Sequence, residues 1–458
     1  MATTVGRATA TYASDDDKYS LANKMHGQYF QLYYDRLMTL APRVDEARRD
    51  AWGDVPRRGV LELREGEKCV VVGTVYKDMK DKPIILDEYA KDFNREEETR
   101  RARETYTRED DRLEFEDEGA RVKLVGVDAG RLVTGVVCAC KGKAVNGDFE
   151  VEDVFVYARA RGDDASGAGK SGAEETRAGG GGGKYVCLVS GFEIGKDGDG
   201  DDDESAAARA RAQMFVDYVT GASMMDDGEA CDSDAAKICR VVVAGGTMDL
   251  KANGNEETTS GALKELDIMF TELASAVPVD VMSGQTDPTN KAMPQQPLHP
   301  VYFPEATRFE KTMRLVTNPH DFTVDHTSFL GTSGQNVQDV LKFSTIDAKD
   351  ASDTFAGDDA AKSSVAALSQ TLRWQHVAPS APDTLACYPF KDRDPFVIER
   401  TPRVYFAGCQ PAFGHERVSH AAGETLVVSV PKFSTAGVAV LVDVDTLECR
   451  PIHFATCV

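Results

Sequence analysis

The chain has 458 residues, of which 41% are hydrophobic, so it is long enough to bury the cores of two domains. It carries 76 acidic and 53 basic residues, a formal net charge of -23. Such a surface repels a phosphate backbone, which argues against strong autonomous binding to nucleic acid. No run of about 18 apolar residues occurs, and we expect no transmembrane helix and no membrane association.

Residues 1–24 are polar and lack the apolar stretch of a signal peptide, and we predict a disordered tail there. A helix is predicted over residues 21–50, where aromatic and leucine residues from Tyr29 to Leu40 recur on one face.

Short β-branched segments punctuated by glycine follow between residues 60 and 158. Asn146-Gly147 is typical of a two-residue hairpin turn. These segments predict a small closed barrel of the OB (oligonucleotide/oligosaccharide-binding) type, so that residues 25–160 form one domain with an N-terminal helix.

Residues 161–184 are mainly Gly, Ser, Ala and charged residues, which predicts a flexible linker and the main domain boundary. The five consecutive glycines, Gly179 to Gly183, precede Lys184 and a strand, whereas a phosphate-binding loop would open a helix.

From residue 185 to 458 we predict a second domain. Its first half alternates between strands and helices, which indicates a parallel or mixed sheet covered by helices. After about residue 300 we expect antiparallel strands. The acidic segment 197–204 lacks the twelfth-position glutamate of a calcium loop, and we interpret it as a solvated insert.

Ten cysteines are spread along the chain without any C-x-x-C pair. Because zinc sites use paired, closely spaced ligands, we expect buried free thiols in a reducing compartment inside the cell. No metal or other cofactor is predicted.

The stretch "VPVDVMSGQTDPTN", residues 277–290, combines a buried strand with the loop beyond its carboxyl end. Open α/β sheets place their chemistry at such points. A two-metal phosphoesterase would carry Gly-Asn-His-Asp here, and this chain has Gly284-Gln285-Thr286-Asp287.

The chain resembles the small regulatory subunits (B-subunits) of eukaryotic DNA polymerase delta. The resemblance is carried by the strings "MHGQYFQLYYDRL", "VKLVGVDAGRLVTGVV", "VDVMSGQTDPTNKAMPQQPLHP" and "FLGTSGQNVQDVLKFS". It covers nearly everything after residue 25. It implies an α+β, mixed fold in which an N-terminal OB-fold β-barrel is joined to a calcineurin-like phosphoesterase αββα sandwich, and it implies a non-catalytic scaffold.

The resemblance also identifies positions where an active phosphoesterase would place its metal ligands or the residue that orients its histidine. Glycines stand at several of them and cannot coordinate a metal, so we predict a degenerate site without catalytic or metal-binding residues. Asp287 is interpreted as a turn residue before Pro288. The degenerate positions are Gly191, Glu193, Gly246, Gln285, Thr286, Asp287, Cys409 and Pro411.

Three histidines have two interpretations each. His376 occupies the place of a phosphoesterase histidine or is a hydrogen-bonded structural residue, and we favour the second. His415 looks like part of a Gly-His motif, but Glu416 and Arg417 follow it. His299, in a proline-rich loop, serves partner binding or ordinary packing.

The barrel offers only Tyr76, Lys77 and Lys80 as a thin candidate stripe for single-stranded DNA, and we interpret it as a protein-binding domain. The resemblance implies two partners in the nucleus. They are the cysteine-rich C-terminal module of the catalytic subunit and a further regulatory subunit on the OB side, with DNA contacted weakly or indirectly. Two alternatives stay open: an active metallophosphoesterase or exonuclease, and an OB-fold single-strand binder.

Overall fold

The computed structural model describes residues 7–21, 27–83, 105–153, 155–162, 183–195, 202–222, 234–249 and 256–455. The predicted linker and acidic insert fall mostly outside these ranges, since residues 163–182 and 196–201 are not described. Among the described helices, none is long and apolar enough to cross a membrane.

The described strands and helices are numbered here in chain order. The strands are β1 (Tyr12–Ser14), β2 (Lys68–Asp78), β3 (Arg112–Glu116), β4 (Arg121–Val125), β5 (Val137–Val145), β6 (Asp148–Val151), β7 (Val156–Tyr157), β8 (Tyr185–Val189), β9 (Ile238–Val243), β10 (Val279–Met282), β11 (Met313–Val316), β12 (His320–Val324), β13 (Thr327–Thr332), β14 (Ala356–Gly357), β15 (Val404–Gln410), β16 (Gly414–His420), β17 (Gly423–Pro431), β18 (Val438–Asp443) and β19 (Cys449–His453). The α-helices are α1 (Phe30–Trp52), α2 (Asp202–Thr220), α3 (Asp234–Lys237), α4 (Glu256–Ala276), α5 (Gln335–Phe343), α6 (Lys362–Arg373) and α7 (Phe433–Ala436).

The N-terminal domain is a closed barrel with one helix packed on it. Its strand order is β2-β3-β4-β6-β5-β7, and β2 also pairs with β5, which closes the barrel. Asn146 and Gly147 both have positive φ, 53° and 87°, as the predicted hairpin turn requires. Helix α1 buries Leu37, Leu40 and Val44 against the strands, and the predicted barrel with a helix on it is confirmed. The helix begins at Phe30 rather than at residue 21, and Tyr29 and Phe30 are exposed rather than part of the buried face.

The first sheet of the second domain has the order β11-β10-β9-β8-β18-β19. Strands β8, β9, β10 and β11 run parallel, and β18 and β19 add an antiparallel edge. Helices α2 and α4 bury an apolar face against this sheet, with Phe215, Leu266 and Phe270 in the shared core. The predicted alternation of strands and helices is therefore confirmed.

The second sheet has the order β1-β12-β13-β15-β17-β16-β14 and packs face to face with the first. Pairs β13–β15 and β15–β17 are parallel, as is β10–β11. The prediction of antiparallel strands after residue 300 is therefore wrong for these pairs. Helices α5 and α6 lie in the connection from β13 to β15, and this crossover returns the chain to the same end of the sheet, so the two strands run parallel. Strand β17 pairs with β15 rather than lying beyond β16, and because β16 reverses the chain direction, β17 again runs parallel to β15.

The prediction of a disordered tail over 1–24 is wrong for residues 7–21, which we call the N-terminal strap. Strand β1 of the strap pairs with β12, with Ser14 opposite Phe322. The guanidinium groups of Arg240 and Arg314 lie 3.5 and 4.5 Å from the centroid of the Tyr12 ring. Two tyrosines, Tyr12 and the buried Tyr19, anchor the strap together with charged residues, so its sequence lacked the periodic apolar pattern of an ordered element.

A buried histidine holds the strap through its charge. His320 Nδ1 lies 2.7 Å from Asp16 Oδ2, and its Nε2 lies 3.5 Å from Asp280 Oδ2. Burial disfavours the imidazolium, but the carboxylates of Asp16 and Asp280 outweigh it and raise the pKa of His320 to about 9. Arg240 bonds Asp280 at 2.7 Å, and the Tyr12 hydroxyl lies 3.5 Å from His320 Nε2.

The contact between Asp16 and His320 predicts that the strap loosens in alkaline solution. The pKa of His320 is raised in the folded state, so its charge contributes fully to stability below pH 6.5. This contribution is lost as the pH rises through about 9. The measurement is the rate of trypsin cleavage after Lys18 from pH 7 to 10, divided by the rate for a free peptide of residues 7–21. The ratio should rise across this window. Asp16→Asn should show a high ratio at every pH, and a flat, low ratio in the parent chain would contradict the assignment.

Candidate functional site

The predicted degenerate positions lie in the loops that follow β8, β9 and β10 and at the carboxyl end of β15. Parallel strands bring their carboxyl ends to one edge of a sheet, and β15 joins them from the second sheet. The structure brings five of the eight positions into contact or close to it: Gly191, Glu193, Gly246, Asp287 and Cys409. We call this group the loop cluster. Gln285, Thr286 and Pro411 are exposed at its margin.

The loops of the cluster lie directly on one another. Gly191 and Gly246 have φ of 66° and 68°, a region that favours glycine. A Cβ added to Gly246 would lie 2.8 Å from Cys409 Sγ and 3.0 Å from Gly191 Cα. A Cβ added to Gly191 would lie 2.9 Å from the Cα of Lys432. Backbone contact therefore fills the space where ligand side chains would have to enter.

Asp287 joins two of these loops. Its carboxylate accepts bonds from the N–H of Gly246 (3.0 Å), Met248 (3.0 Å) and Gly284 (2.7 Å), and from the hydroxyl of Thr247 (2.6 Å). Burial raises the pKa of this carboxyl group although four donors favour its charged form. The interpretation of Asp287 as a turn residue is therefore incomplete, because its side chain fastens the β9 loop to the β10 loop.

We expect Asp287→Asn to lower the free energy of unfolding by about 2–4 kcal/mol. The amide nitrogen of asparagine would face backbone N–H donors and leave them unpaired. The matched control is Asp117→Asn, because Asp117 also accepts three backbone N–H bonds but is half-exposed. Water can replace a partner there, and the cost should stay near 1 kcal/mol. Urea unfolding of both variants measures the difference, and equal losses would contradict the role assigned to Asp287.

The remaining polar groups of the cluster already have partners. Glu193 is buried and accepts bonds from Lys432 Nζ at 2.6 Å and Ser434 Oγ at 2.8 Å. The backbone N–H of Cys409 donates to Ser190 Oγ at 2.8 Å. Burial raises the pKa of the Cys409 thiol to about 12, so the thiolate that a metal needs is disfavoured.

A calcineurin-like architecture would imply two metal ions at this edge, and the residues present do not fit them. Two-metal sites need several carboxylates and imidazoles that converge on the ions. The cluster supplies one carboxylate bound to a lysine and one bound to backbone amides. In the ranges that the structure describes, no three His, Cys, Asp or Glu side chains are grouped to hold a metal.

Buried amide side chains support the cluster from the proline-rich loop. Gln295 Nε2 donates to the carbonyl groups of Gly284 (3.0 Å) and Asn290 (2.9 Å), and its Oε1 accepts from Asn318 and Gln335, both at 2.8 Å. This part of the loop is therefore structural. It was not singled out from the sequence, although two adjacent glutamines flanked by prolines were a usable signal.

The three histidines have different surroundings. His376 is buried, donates from Nε2 to Asp394 at 2.9 Å and accepts from the N–H of Ala378 at 3.2 Å. Burial and the neighbouring Arg36 lower its pKa to about 4, as a neutral structural histidine requires. His415 is half-buried on β16, where burial lowers its pKa. His299 is exposed, and its ring accepts a bond from the N–H of Val301, so its two interpretations remain open.

Three buried cations form a joint between the barrel domain and the second domain. Arg36 on α1 bonds Asp394 and three carbonyl groups, one of them in the barrel. Arg43, one heptad later, donates to the carbonyl of Ile398 at 2.9 Å. Sequence reasoning missed both, although their spacing on the apolar face of α1 was a signal.

The third cation is Lys77, whose Nζ donates to the carbonyl of Phe343 at 2.8 Å. Burial lowers its pKa to about 8. Lys80 pairs with Asp110 at 2.5 Å, and Arg121 lies 4.5 Å over the ring of Tyr76. The candidate stripe for single-stranded DNA is therefore engaged within the protein, with Lys77 inaccessible.

Comparisons with known proteins agree with the two domains. The family model of the DNA polymerase delta subunit OB-fold domain matches residues 28–154, and that of the B-subunits of DNA polymerases alpha and epsilon matches residues 188–415. The DNA polymerase delta small subunit of Arabidopsis thaliana is 37% identical over 98% of this chain and 97% of its own. That of Oryza sativa is 35% identical over 98% and 99%. DNA polymerase delta subunit 2 of Drosophila melanogaster is 33% identical over 93% of both chains. The resemblance stated from the sequence is confirmed, and the chain belongs to the family of DNA polymerase delta small subunits.

Proposed function

We propose that the chain is a non-catalytic scaffold subunit of DNA polymerase delta that acts in the nucleus during DNA replication and repair synthesis. The observation that carries this proposal is the closed loop cluster. Glycine contacts fill its centre, and its carboxylates are bound to a lysine and to backbone amides. The near full-length similarity to DNA polymerase delta small subunits supports the same role.

The second domain, residues 185–458, is proposed to be a calcineurin-like phosphoesterase αββα sandwich that has lost its ligands. Two stacked sheets with helices outside, and loops gathered at the carboxyl ends of parallel strands, support this assignment. Residues 25–160 are proposed as the OB domain with its helix, and 161–184 as the connecting linker.

The proposed partners are the cysteine-rich C-terminal module of the catalytic subunit and a further regulatory subunit on the OB side. A scaffold must hold its binding surfaces in a fixed relation. The buried joint of Arg36, Arg43 and Lys77 would do so by fixing the barrel to the second domain. The net charge of -23 would steer basic partner surfaces toward the chain.

The partner proposal is tested by co-expression with the C-terminal region of the catalytic subunit, followed by size exclusion at low and high salt. The two chains should co-elute, association should slow with salt, and the complex should persist once formed. Failure to co-elute, or equal binding by either domain alone, would contradict an interface that uses both domains.

The non-catalytic assignment is tested separately. Purified chain should hold no stoichiometric metal and should hydrolyse no phosphodiester in the presence of Mn²⁺. Two bound metals, with hydrolysis that Glu193→Gln abolishes, would identify an active phosphoesterase instead. Nanomolar binding of single-stranded oligonucleotides at physiological salt would favour the single-strand binder.

A further inference from the structure

We propose that Ser14 is a phosphorylation site for an acid-directed serine kinase and that the phosphate loosens the N-terminal strap from the edge of the second sheet. This inference does not depend on the proposed function. It starts from the sequence Ser14-Asp15-Asp16-Asp17, in which a hydroxyl group is followed by three carboxylates. Kinases select substrates by charge pattern, and a basic substrate groove would favour this one.

The hydroxyl of Ser14 is accessible. Ser14 is exposed at the end of β1, and within the described residues its side chain makes no hydrogen bond. β1 is the outermost strand of its sheet and has three residues, so its opening breaks a few backbone bonds together with the contacts of Asp16 and Tyr12 described above. The side chain of Asp15 is 76% exposed, and Asp17 is exposed as well.

Kinase recognition and strap docking compete for the same carboxylate. Asp16 binds His320 and also accepts the backbone N–H of Asp321 at 2.9 Å. A kinase that reads the acidic run needs Asp16 free, so it would act on the open strap. The Ser14 oxygen attacks the γ-phosphorus of ATP, the bond from that phosphorus to the bridging oxygen breaks, and ADP leaves. The hydroxyl proton passes to the catalytic aspartate of the kinase.

The added phosphate enters a region whose carboxylates are Asp15, Asp16 and Asp321. It brings roughly −1.5 to −2 charges at neutral pH. Asp15 and Asp16 adjoin it, and Asp321 lies on the neighbouring strand. The nearby cations are engaged: Lys18 pairs with Asp321, and His320 pairs with Asp16. Like-charge repulsion therefore opposes re-docking of the strap. Arg314 is held over Tyr12; if it turned to the phosphate instead, the strap would tighten.

The experiment uses the full chain, ATP and a purified acid-directed serine kinase. Phosphate should be mapped to Ser14 and be absent there in Ser14→Ala. Hydrogen exchange of residues 7–21 should then become about tenfold faster than in the unmodified chain, the effect of about 1.4 kcal/mol in the opening equilibrium.

Two variants separate recognition from docking. Asp17→Asn should slow phosphorylation and leave exchange of the unmodified strap unchanged, because no described contact of the strap uses this carboxylate. Arg7→Ala should speed phosphorylation by about threefold or more, because it removes the 2.6 Å bond to the carbonyl of Val219 and leaves the acidic run intact. No phosphate on Ser14 in the parent chain and in Arg7→Ala would overturn the proposal. Unchanged or slower hydrogen exchange of residues 7–21 after phosphorylation would overturn the proposed loosening of the strap.

Discussion

Arg36→Ala is expected to lower the free energy of unfolding by about 3–5 kcal/mol, because it removes one partner of a buried ion pair. The guanidinium group is fully buried and bonds Asp394 at 2.7 Å. It also donates to the carbonyl groups of Gly135 (3.1 Å), Pro379 (2.6 Å) and Ala381 (2.7 Å). The substitution would leave all three carbonyl groups without this donor. The carboxylate of Asp394 would lose the charge of Arg36 and keep its bond to the neutral imidazole of His376.

The pH dependence of this loss has a definite sign. In the parent chain His376 has a pKa of about 4 against 6.5 when unfolded, so the unfolded state binds more protons between these values. Parent stability therefore falls as the pH drops from 6.5 to 4. Without the cation of Arg36, His376 should take up a proton more readily and pair with Asp394. The difference in the free energy of unfolding between the parent chain and Arg36→Ala should therefore be smaller at pH 5 than at pH 7.

Urea unfolding at both pH values measures these effects. Arg49→Ala on the same helix is the matched control. The side chain of Arg49 is 62% exposed, and its partner Asp45 keeps a 2.7 Å bond to Arg48, so the loss should be less than about 1 kcal/mol. Arg36→Lys should recover only part of the loss, since an ammonium group has three donors and no planar fork. Equal midpoints for Arg36→Ala and Arg49→Ala would show that the joint contributes little.

The sequence predicted the parts of the fold that have a clear period. Helix α4 is an example, since Leu266, Phe270 and Leu273 recur at helical spacing and are buried against the first sheet. The closed barrel and the parallel strands β8 to β10 were likewise predictable from short β-branched runs. In each case neighbouring residues decide the structure, and their spacing is visible in the sequence.

Long-range polar contacts were not predictable in this way. Asp16 meets His320 across 304 positions, and Arg36 meets Asp394 across 358. Neither pair leaves a periodic trace, so an ordered strap was predicted to be disordered. The loop cluster is intermediate: the resemblance identified its positions, but the four bonds of Asp287 depend on how closely two loops approach.

Gly246→Asp, which places a carboxylate at a position where the resemblance implies a metal ligand of an active phosphoesterase, is expected to destabilise the chain by about 3–5 kcal/mol. Gly246 has a φ of 68°, where an L-residue is strained. The new Cβ would lie 2.8 Å from Cys409 Sγ and 3.0 Å from Gly191 Cα, too close without movement of a packed loop. The added carboxylate would also stand beside Asp287, which accepts the N–H of residue 246.

The matched control for this substitution is Gly221→Asp. Gly221 has a similar φ of 82°, but a Cβ there would meet nothing within 4 Å. The control therefore bears the backbone strain alone, about 1–2 kcal/mol, and the difference between the variants isolates the contacts of the loop cluster.

Melting is compared with and without Mn²⁺, because a metal that binds the folded state raises the melting temperature. We expect no such rise and no phosphodiester hydrolysis in either variant. A rise in Gly246→Asp alone would mean that the loop cluster can open to admit a metal, and would contradict the closed cluster described here.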